Sequence, residues 1–119
     1  MPRDVGIWRT ELRRGLVELC VLSVLRKQEA YGYQIVEQLK QEANLEFTES
    51  TVYPVLARLH REKFLAERRE RSSSGPPRRY FRLTVKGLRR YQEMVCQWRE
   101  ISDRVAQLID KEIDDVDAD

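Results

Sequence analysis

The stretch Glu62–Thr84, EKFLAERRERSSSGPPRRYFRLT, decides how this chain folds. It contains two apolar, arginine-rich segments separated by the polar run SSSGPP, and Phe81 and Leu83 follow the two-residue period of a strand. Proline and glycine in the run prevent further strand pairing. The stretch therefore predicts a β-hairpin with strands over residues 65–71 and 79–83 and a basic tip.

Helical patterns precede the hairpin. Apolar spacings of three and four predict a first helix over about residues 10–27, and AYGYQIVEQLKQEA and FTESTVYPVLARLHRE predict a second and a third. The expected buried stripe of the first helix consists of Leu12, Leu16, Leu19, Cys20, Val24 and Leu25. Ile7 and Trp8 precede it on an expected N-terminal arm, where they can pack on a partner subunit. A helix pair followed by a hairpin is the order of a winged helix-turn-helix, in which the hairpin is the wing.

The third helix has one apolar and one polar face. The apolar face consists of Val52, Val55, Leu56 and Leu59. At 100° per residue, the opposite face consists of Ser50, Pro54, Ala57 and Arg61, with Thr51, Tyr53 and Arg58 on its flanks. Either Thr48 or Ser50 can cap this helix, so the sequence leaves open how deep Pro54 lies in it and what it costs in backbone hydrogen bonding.

The composition indicates one folded domain. At 119 residues, with 41% hydrophobic and 35% charged residues, the chain is too apolar for disorder and too charged for a membrane protein. The longest apolar stretch, GLVELCVLSVL, is shorter than the roughly 20 residues that span a bilayer. Because no secretory signal is recognisable, we expect a cytoplasmic protein. Cys20, Cys96 and His60 lack metal-ligand spacing, so no metal or other cofactor is expected, and both cysteines are interpreted as core residues.

The middle of the chain carries a concentrated positive charge. Residues 58–90 hold 12 Lys and Arg against 3 Glu, a net charge of +9, whereas residues 1–57 carry −1 and residues 91–119 carry −6. Such a patch fits a polyanion, because each cation placed on a phosphate releases condensed counterions. Because the charge covers the end of the third helix and the wing, the sequence predicts double-stranded DNA as a partner.

One long helix is predicted to end the chain. Thr84 can cap it, and about 30 helical residues would extend about 45 Å, beyond a compact domain of about 27 Å. Its apolar stripe consists of Leu88, Tyr91, Val95, Trp98, Ser102, Val105 and Ile109, widened by Met94, Ile101 and Leu108. A bare stripe favours a two-fold dimer, although the helix could instead fold back over its own domain. We therefore divide the chain into a winged helix-turn-helix domain over residues 1–84 and a dimerisation helix with an acidic tail over residues 85–119.

The third helix and the wing supply side chains that can hold DNA. Hydroxyls and arginines near the start of a recognition helix reach base edges and phosphates, and wing arginines follow the backbone or the minor groove. The candidate DNA contacts are Tyr31, Ser50, Thr51, Tyr53, Arg58, Arg61, Arg71, Ser73, Arg78 and Arg79. The structural alternatives remain open: Tyr53 can be a half-buried helix aromatic, and Ser50 and Thr51 can be ordinary capping residues.

Two functional hypotheses follow from these patterns. The first is a dimeric DNA-binding repressor. The second is a protein-binding adaptor or ligand sensor that acts through the C-terminal helix, with the basic wing serving only solubility. An enzyme is not expected, because paired carboxylates, a nucleophile with its base and a Gly-rich phosphate loop are absent from the sequence at usable spacing.

The motifs YGYQIVEQL, TESTVYPVLARLHREKFL and GPPRRYFRLTVKGL occur here together and in order. In these stretches the chain resembles the PadR family of bacterial transcriptional regulators, over roughly residues 12–98. A single terminal helix resembles the short subclass of that family. The resemblance implies a winged-helix homodimer that represses transcription at a palindromic operator and is often released by a small molecule.

The resemblance also implies roles for particular residues. Proline after Tyr53 is common in the family, and Tyr53 is expected to contact a phosphate. Some short members resemble multidrug sensors in which aromatic ligands stack on a tryptophan of the terminal helix at the dimer interface. The corresponding ligand pocket here would consist of Trp8, Tyr91, Trp98, Ile101 and Val105. The expected dimer interface consists of Ile7, Leu88, Val95, Trp98, Val105, Leu108 and Ile109.

Overall fold

The computed structural model describes the backbone of residues 5–118 and the side chains of residues 5–111. Its elements are α1 (Val5–Lys27), β1 (Ala30–Tyr31), α2 (Gly32–Ala43), α3 (Glu49–Arg61), β2 (Leu65–Glu70), β3 (Arg78–Leu83) and α4 (Val85–Ala118). This order confirms the predicted fold class, a mainly α protein in which a winged helix-turn-helix precedes a long C-terminal helix. Within the described part of the chain, no helix is long and apolar enough to cross a bilayer, and no three potential metal-binding side chains cluster.

The core lies where α1, α2, α3 and the sheet meet. Its largest fully buried side chains are Leu22, Ile35, Leu59, Val21 and Val52. Helices α2 and α3 are amphipathic, so each buries one apolar face there and leaves the other outside. The predicted apolar face of α3 is therefore confirmed at Val52, Leu56 and Leu59, and the polar face remains available to a partner.

Helix α1 begins earlier than predicted. It starts at Val5 rather than near Thr10, so Ile7 and Trp8 lie on the helix and not on an arm. Their side chains are 51% and 56% exposed. Both residues therefore extend an exposed apolar surface along α1.

The predicted buried stripe of α1 was wrong over its first half. The buried face consists of Val17, Val21, Leu22, Val24 and Leu25. Leu12 is exposed, and Leu16 and Leu19 are only half-buried. Apolar residues lie on several sides of α1, and the rest of the domain covers only one of these sides.

The predicted hairpin is confirmed, and a third strand joins it. Strand β1 pairs antiparallel with β3, with Ala30 opposite Phe81 and Tyr31 opposite Tyr80, which gives the order β1-β3-β2. Strand β2 ends at Glu70, and strand β3 begins at Arg78. Each of these boundaries lies one residue earlier than predicted. Strand β1 was not predicted, because two residues are too short to show a strand period.

Thr48 is the residue that precedes the first turn of α3. Its carbonyl oxygen accepts the backbone N–H groups of Thr51 and Val52, both at 3.0 Å. This start places Pro54 at the sixth position of the helix, in its interior rather than its first turn. Proline there removes the hydrogen bond that would have gone to the Ser50 carbonyl.

The junction between the wing and α4 depends on Gly87. A Cβ atom at Gly87 would lie 2.0 Å from the carbonyl oxygen of Phe64. The Thr84 hydroxyl accepts the N–H of Gly87 at 3.0 Å and donates to the Lys63 carbonyl at 2.8 Å. Thr84 thus caps α4, as predicted, and binds this helix tightly to the turn after α3.

Helix α4 extends well beyond its own domain. The longest dimension of the molecule is 67 Å. Tyr91 and Met94 pack against the core, whereas Ile101, Val105 and Leu108 are 54%, 49% and 65% exposed. The apolar stripe therefore becomes bare as the helix leaves the domain.

The two cysteines lie in different surroundings. Cys20 is half-buried against the core, and burial raises the pKa of its thiol. Cys96 is exposed on α4, so its interpretation as a core residue was wrong. Cys96 lies about 200° around the helix from Met94, which packs against the core, and spacing alone did not fix which side of α4 the domain covers.

Candidate nucleic-acid interface

A depression of about 320 Å³ lies between α3 and the wing. Its lining residues are Tyr31, Gly32, Tyr33, Tyr53, Leu56, Ala57, Pro77, Arg78, Arg79 and Phe81. Sheet pairing brings β1 beside β3, and helix packing brings α3 beside the start of α2. Candidate side chains that are distant in sequence, Tyr31, Tyr53 and Arg78, therefore share one surface.

The ring of Tyr53 packs directly on the backbone of Gly32. A Cβ atom at Gly32 would lie 2.2 Å from Cε1 of that ring, so this ring position requires glycine. Tyr53 is nevertheless 43% exposed. Partial burial, and then the negative charge of Glu49, raise the pKa of the Tyr53 hydroxyl. The hydroxyl therefore stays protonated at neutral pH and can donate to an anion.

Arg78 is oriented by an aromatic stack at the base of the wing. Its guanidinium carbon lies 4.8 Å from the centroid of the Tyr31 ring. Tyr31 in turn meets Tyr80 edge to face, with centroids 5.3 Å apart. A cation–π contact of this kind fixes the guanidinium while leaving its N–H donors available. Within residues 5–111 Arg78 makes no ion pair, so it can serve an external anion.

Arg79 is committed to a partner within the protein. Its Nη2 donates to Oε2 of Glu67 at 2.7 Å, and Arg69 Nε donates to Oε1 of the same carboxylate at 3.2 Å. The hydrogen bond from Arg79 is the main reason that the pKa of Glu67 falls to about 2. His60 Nε2 lies 3.7 Å from Oε2 of this carboxylate. Glu67 thus holds the end of α3 and both wing strands together.

A second carboxylate neutralises another wing arginine. Arg68 Nε donates to Oε1 of Glu29 at 2.9 Å, and its Nη1 donates to Glu70 at 2.8 Å. Arg61 and Arg71 are exposed and form no ion pair among the described side chains. The positive charge available to a partner is therefore smaller than the sequence count and is concentrated at particular positions.

Arg58 faces inward, toward α1. Its Nη2 donates to Oε1 of Glu18 at 2.5 Å, and its Nη1 donates to Glu62 at 3.2 Å. Arg90 of α4 donates to the other oxygen of Glu18 at 3.0 Å. Burial alone would raise the pKa of Glu18, but the hydrogen bonds and charges of the two arginines bring it below its usual value. Arg58 thus lies apart from the depression that holds Tyr31, Tyr53 and Arg78.

The remaining candidates lie at the start of α3 and in the loop of the wing, outside the lining of this depression. The Thr48 hydroxyl lies 2.8 Å from the Ser50 hydroxyl and 3.1 Å from that of Thr51, so hydroxyl groups cluster at the start of α3. Arg71 and Ser73 are exposed in the loop between β2 and β3. All of them lie in segments that border the exposed face of α3 or the wing.

A second candidate site is a groove of about 400 Å³ between α1 and α4. It is lined by Leu16, Leu19, Cys20, Ser23, Leu45, Tyr91, Val95, Trp98 and Arg99. The structure thus brings together Tyr91 and Trp98 of the predicted ligand pocket. Trp8, Ile101 and Val105 are exposed and do not line this groove within the described chain.

Sequence reasoning missed Glu18, Gly32 and Glu67. In the sequence, Gly32 looks like an ordinary glycine at the start of a helix, and the ring that covers it comes from another helix. The two glutamates look like ordinary helix and strand residues in the sequence. Their roles depend on arginines that are distant along the chain, so no local pattern could identify them.

Comparisons with known proteins agree with this geometry. Residues 21–93 match the transcriptional regulator PadR-like family. A PadR family transcriptional regulator from Eggerthella lenta is 37% identical, with a TM-score of 0.81 over 88% of this chain and 91% of that chain. Bacillus subtilis PadR, solved in complex with operator DNA, is 26% identical, with a TM-score of 0.64 over 67% of this chain and 46% of that chain.

An uncharacterized protein of Lysinibacillus sphaericus is also similar, at 28% identity over 80% of this chain and 89% of its own length. The family match covers more than half of the chain and includes α2, α3, the wing and the start of α4. From these matches and the winged-helix fold, we conclude that this chain belongs to the PadR-like family of transcriptional regulators.

Proposed function

We propose that this protein is a homodimeric transcriptional repressor that binds a palindromic DNA operator in the cytoplasm. The observation that carries the proposal is the single surface on which Tyr53 of α3 and Arg78 of the wing meet. One is a neutral donor and the other an unpaired cation held in place by an aromatic ring. Such a surface suits the phosphate backbone beside a groove.

In the proposed complex, α3 enters the major groove. Ser50 near its start and Ala57 on its exposed face approach base edges, and Arg61 approaches the backbone. Tyr53 and Arg78 hold phosphates beside that groove. Arg71 and Ser73, in the exposed loop of the wing, reach the adjacent backbone or minor groove. We assign Arg58 and Arg79 to support within the protein, because both are bound to carboxylates.

Two further observations support a DNA partner. Among the candidate contacts, Arg61, Arg71 and Arg78 form no ion pair with the described side chains, and all three lie on α3 or the wing, so this face carries positive charge that a phosphate can reach. In addition, Bacillus subtilis PadR, a similar structure, was solved with operator DNA. By this likeness we infer that the same face of the fold approaches DNA here.

The proposed dimer joins the apolar surfaces that one copy leaves bare. Trp98, Val105 and Ile109 on α4 are 41%, 49% and 50% exposed, and Ile7 and Trp8 on α1 are similarly exposed. A surface of this kind on a monomer favours association. A two-fold dimer built on α4 would place its two α3 helices at successive major-groove turns of a palindrome.

An electrophoretic mobility shift with a fragment of the protein's own promoter tests the proposal. We expect a saturable shift, a protected palindrome in footprinting, and reduced transcription from that promoter in vitro. If the purified, folded protein shifts neither its promoter fragment nor random DNA, the proposed DNA-binding function is refuted. Activation of transcription would refute repression alone.

The adaptor or sensor alternative is favoured by the groove between α1 and α4. Trp98 lines it, and an aromatic effector could stack there. We propose that such an effector releases the operator. A planar dye should quench tryptophan fluorescence in the wild type and not in Trp98→Ala; Trp8→Ala serves as the control, because Trp8 lies outside this groove. Quenching that persists in Trp98→Ala would remove the effector site.

A further inference from the structure

Glu18 connects the three helices on which the proposed function depends. It lies within α1, and its side chain is only 12% exposed. Its Oε1 accepts a hydrogen bond from Arg58 of α3, and its Oε2 accepts one from Arg90 of α4. One carboxylate thus joins the recognition helix to the C-terminal helix.

Replacing any of the three residues, Glu18, Arg58 or Arg90, should cost stability. Both oxygens of the carboxylate are occupied by charged donors, which form shorter and stronger hydrogen bonds than neutral ones. Removing one member would leave a partly buried charge without its partner. The geometry therefore favours one relative position of α3 and α4.

Neighbouring contacts hold both arginines in place. Arg58 also donates to Glu62, the residue that directly follows α3, so its guanidinium is engaged on two sides. The guanidinium of Arg90 lies 5.3 Å from the centroid of the Phe64 ring, in the turn after α3. Neither arginine has the freedom of an exposed side chain that awaits a ligand.

We propose that Glu18 is a positioning residue that fixes the recognition helix relative to α4. In a dimer built on α4, this link sets the separation and tilt of the two α3 helices. Arg58 then holds α3 in position through its ion pair with Glu18 and does not contact a phosphate. The inference rests on the proposed DNA-binding function.

A double-mutant cycle on operator binding, repeated at several salt concentrations, tests the link. Glu18→Gln and Arg58→Gln should each weaken binding about tenfold with an unchanged salt slope, because no phosphate contact is lost. The double variant should bind no more weakly than either single variant, because both changes break the same link. If instead Arg58→Gln lowers the salt slope by about one and Glu18→Gln binds as well as the wild type, Arg58 holds a phosphate and the inference fails.

Arg90 supplies a second test with a matched control. Arg90→Gln should weaken operator binding several-fold at an unchanged salt slope, and it replaces Glu18→Gln if that variant does not fold. Arg89→Gln removes the same charge from the adjacent, exposed position, where no ion pair forms among the described side chains. It should bind within about twofold of the wild type. Equal losses in the two variants would overturn the inference.

Operators with altered half-site spacing separate positioning from simple loss of stability. A variant that is only less stable keeps the wild-type preference for one spacing, whereas a variant with a freed recognition helix accepts spacings changed by one base pair. An unchanged preference in both Glu18→Gln and Arg90→Gln overturns the proposal. Failure of the wild type to bind any operator would instead refute the proposed function itself.

Discussion

The ring of Tyr53 lies against the backbone of Gly32, and a methyl group on Gly32 would come within 2.2 Å of its Cε1 atom. The atom in the way is the outer part of a side chain that can rotate, not backbone. The contact therefore fixes where the Tyr53 hydroxyl points without being essential for the fold. Stability and DNA binding should respond differently when it is disturbed.

Gly32→Ala should leave the protein folded and weaken operator binding. The added methyl group displaces the Tyr53 ring, while alanine is the better helix former by up to about 1 kcal/mol. We expect a melting temperature within a few degrees of the wild type and a several-fold loss of affinity. Tyr53→Phe, which removes the hydroxyl and keeps the ring, should lose a similar amount. Full affinity in both variants would exclude a phosphate contact by Tyr53.

Gly87→Ala should destabilise the protein by about 2 kcal/mol, because the new Cβ would overlap a backbone carbonyl that cannot rotate away. The distance from that Cβ to the Phe64 oxygen would be 2.0 Å. Gly15→Ala is the control, since nothing lies within 4 Å of a Cβ built at Gly15. Chemical denaturation should show a loss for Gly87→Ala and a small gain for Gly15→Ala. Equal stability of the two variants would contradict the packing described for the start of α4.

Arg78 and Arg79 should differ although they are neighbours. Arg78→Gln should reduce the salt slope of operator binding by about one, because this arginine is free to hold a phosphate. Arg79→Gln should leave the slope nearly unchanged and lower the melting temperature, because its guanidinium holds Glu67. Fluorescence anisotropy over a range of salt concentrations measures both slopes. If neither variant, nor the two changes combined, alters binding or its slope, Arg78 does not hold a phosphate and the base of the wing does not contact DNA.

The Glu67 cluster should make stability depend on pH in acid. Arg79 and its neighbours lower the pKa of Glu67 to about 2, below its usual value of 4.5. A lowered pKa means that the unfolded chain takes up the proton first, so this stabilisation is complete above about pH 5 and is lost as the pH falls toward 2. Between these values, the melting temperature of the wild type should fall more than that of Glu67→Gln. Glu93→Gln, at an exposed position on α4, should follow the wild type. Parallel curves for the wild type and Glu67→Gln would show that the cluster does not form.

Val105→Glu should dissociate the proposed dimer. Val105 is 49% exposed on the bare apolar stripe of α4, and a carboxylate there would be buried without a partner in the interface. Gln107→Glu adds the same charge about 200° away around the helix and should leave the dimer intact. Sedimentation at micromolar concentration distinguishes the two. A wild-type protein that sediments as a monomer while binding its operator tightly would refute the dimer.

Local patterns were sufficient to predict most of the fold. The alternation around SSSGPP predicted the wing, the three-and-four spacing predicted α2, α3 and α4, and Thr84 was identified as the cap of α4. These predictions succeeded because hydrophobic period and turn chemistry act over a few residues. They failed at β1, which is too short to show a period, and along α1, where apolar residues on several sides did not indicate which side the domain covers.

The sequence by itself determined the fold class and the location of the positive charge, because both follow from residue types at near-neighbour spacing. Only the tertiary structure decided which charges are free. Arg58 and Arg79 are bound to Glu18 and Glu67, whereas Arg78 rests on Tyr31 with its donors available. Ion pairs between residues 40 or 12 positions apart depend on how the helices and strands pack, and such packing leaves no trace in local spacing.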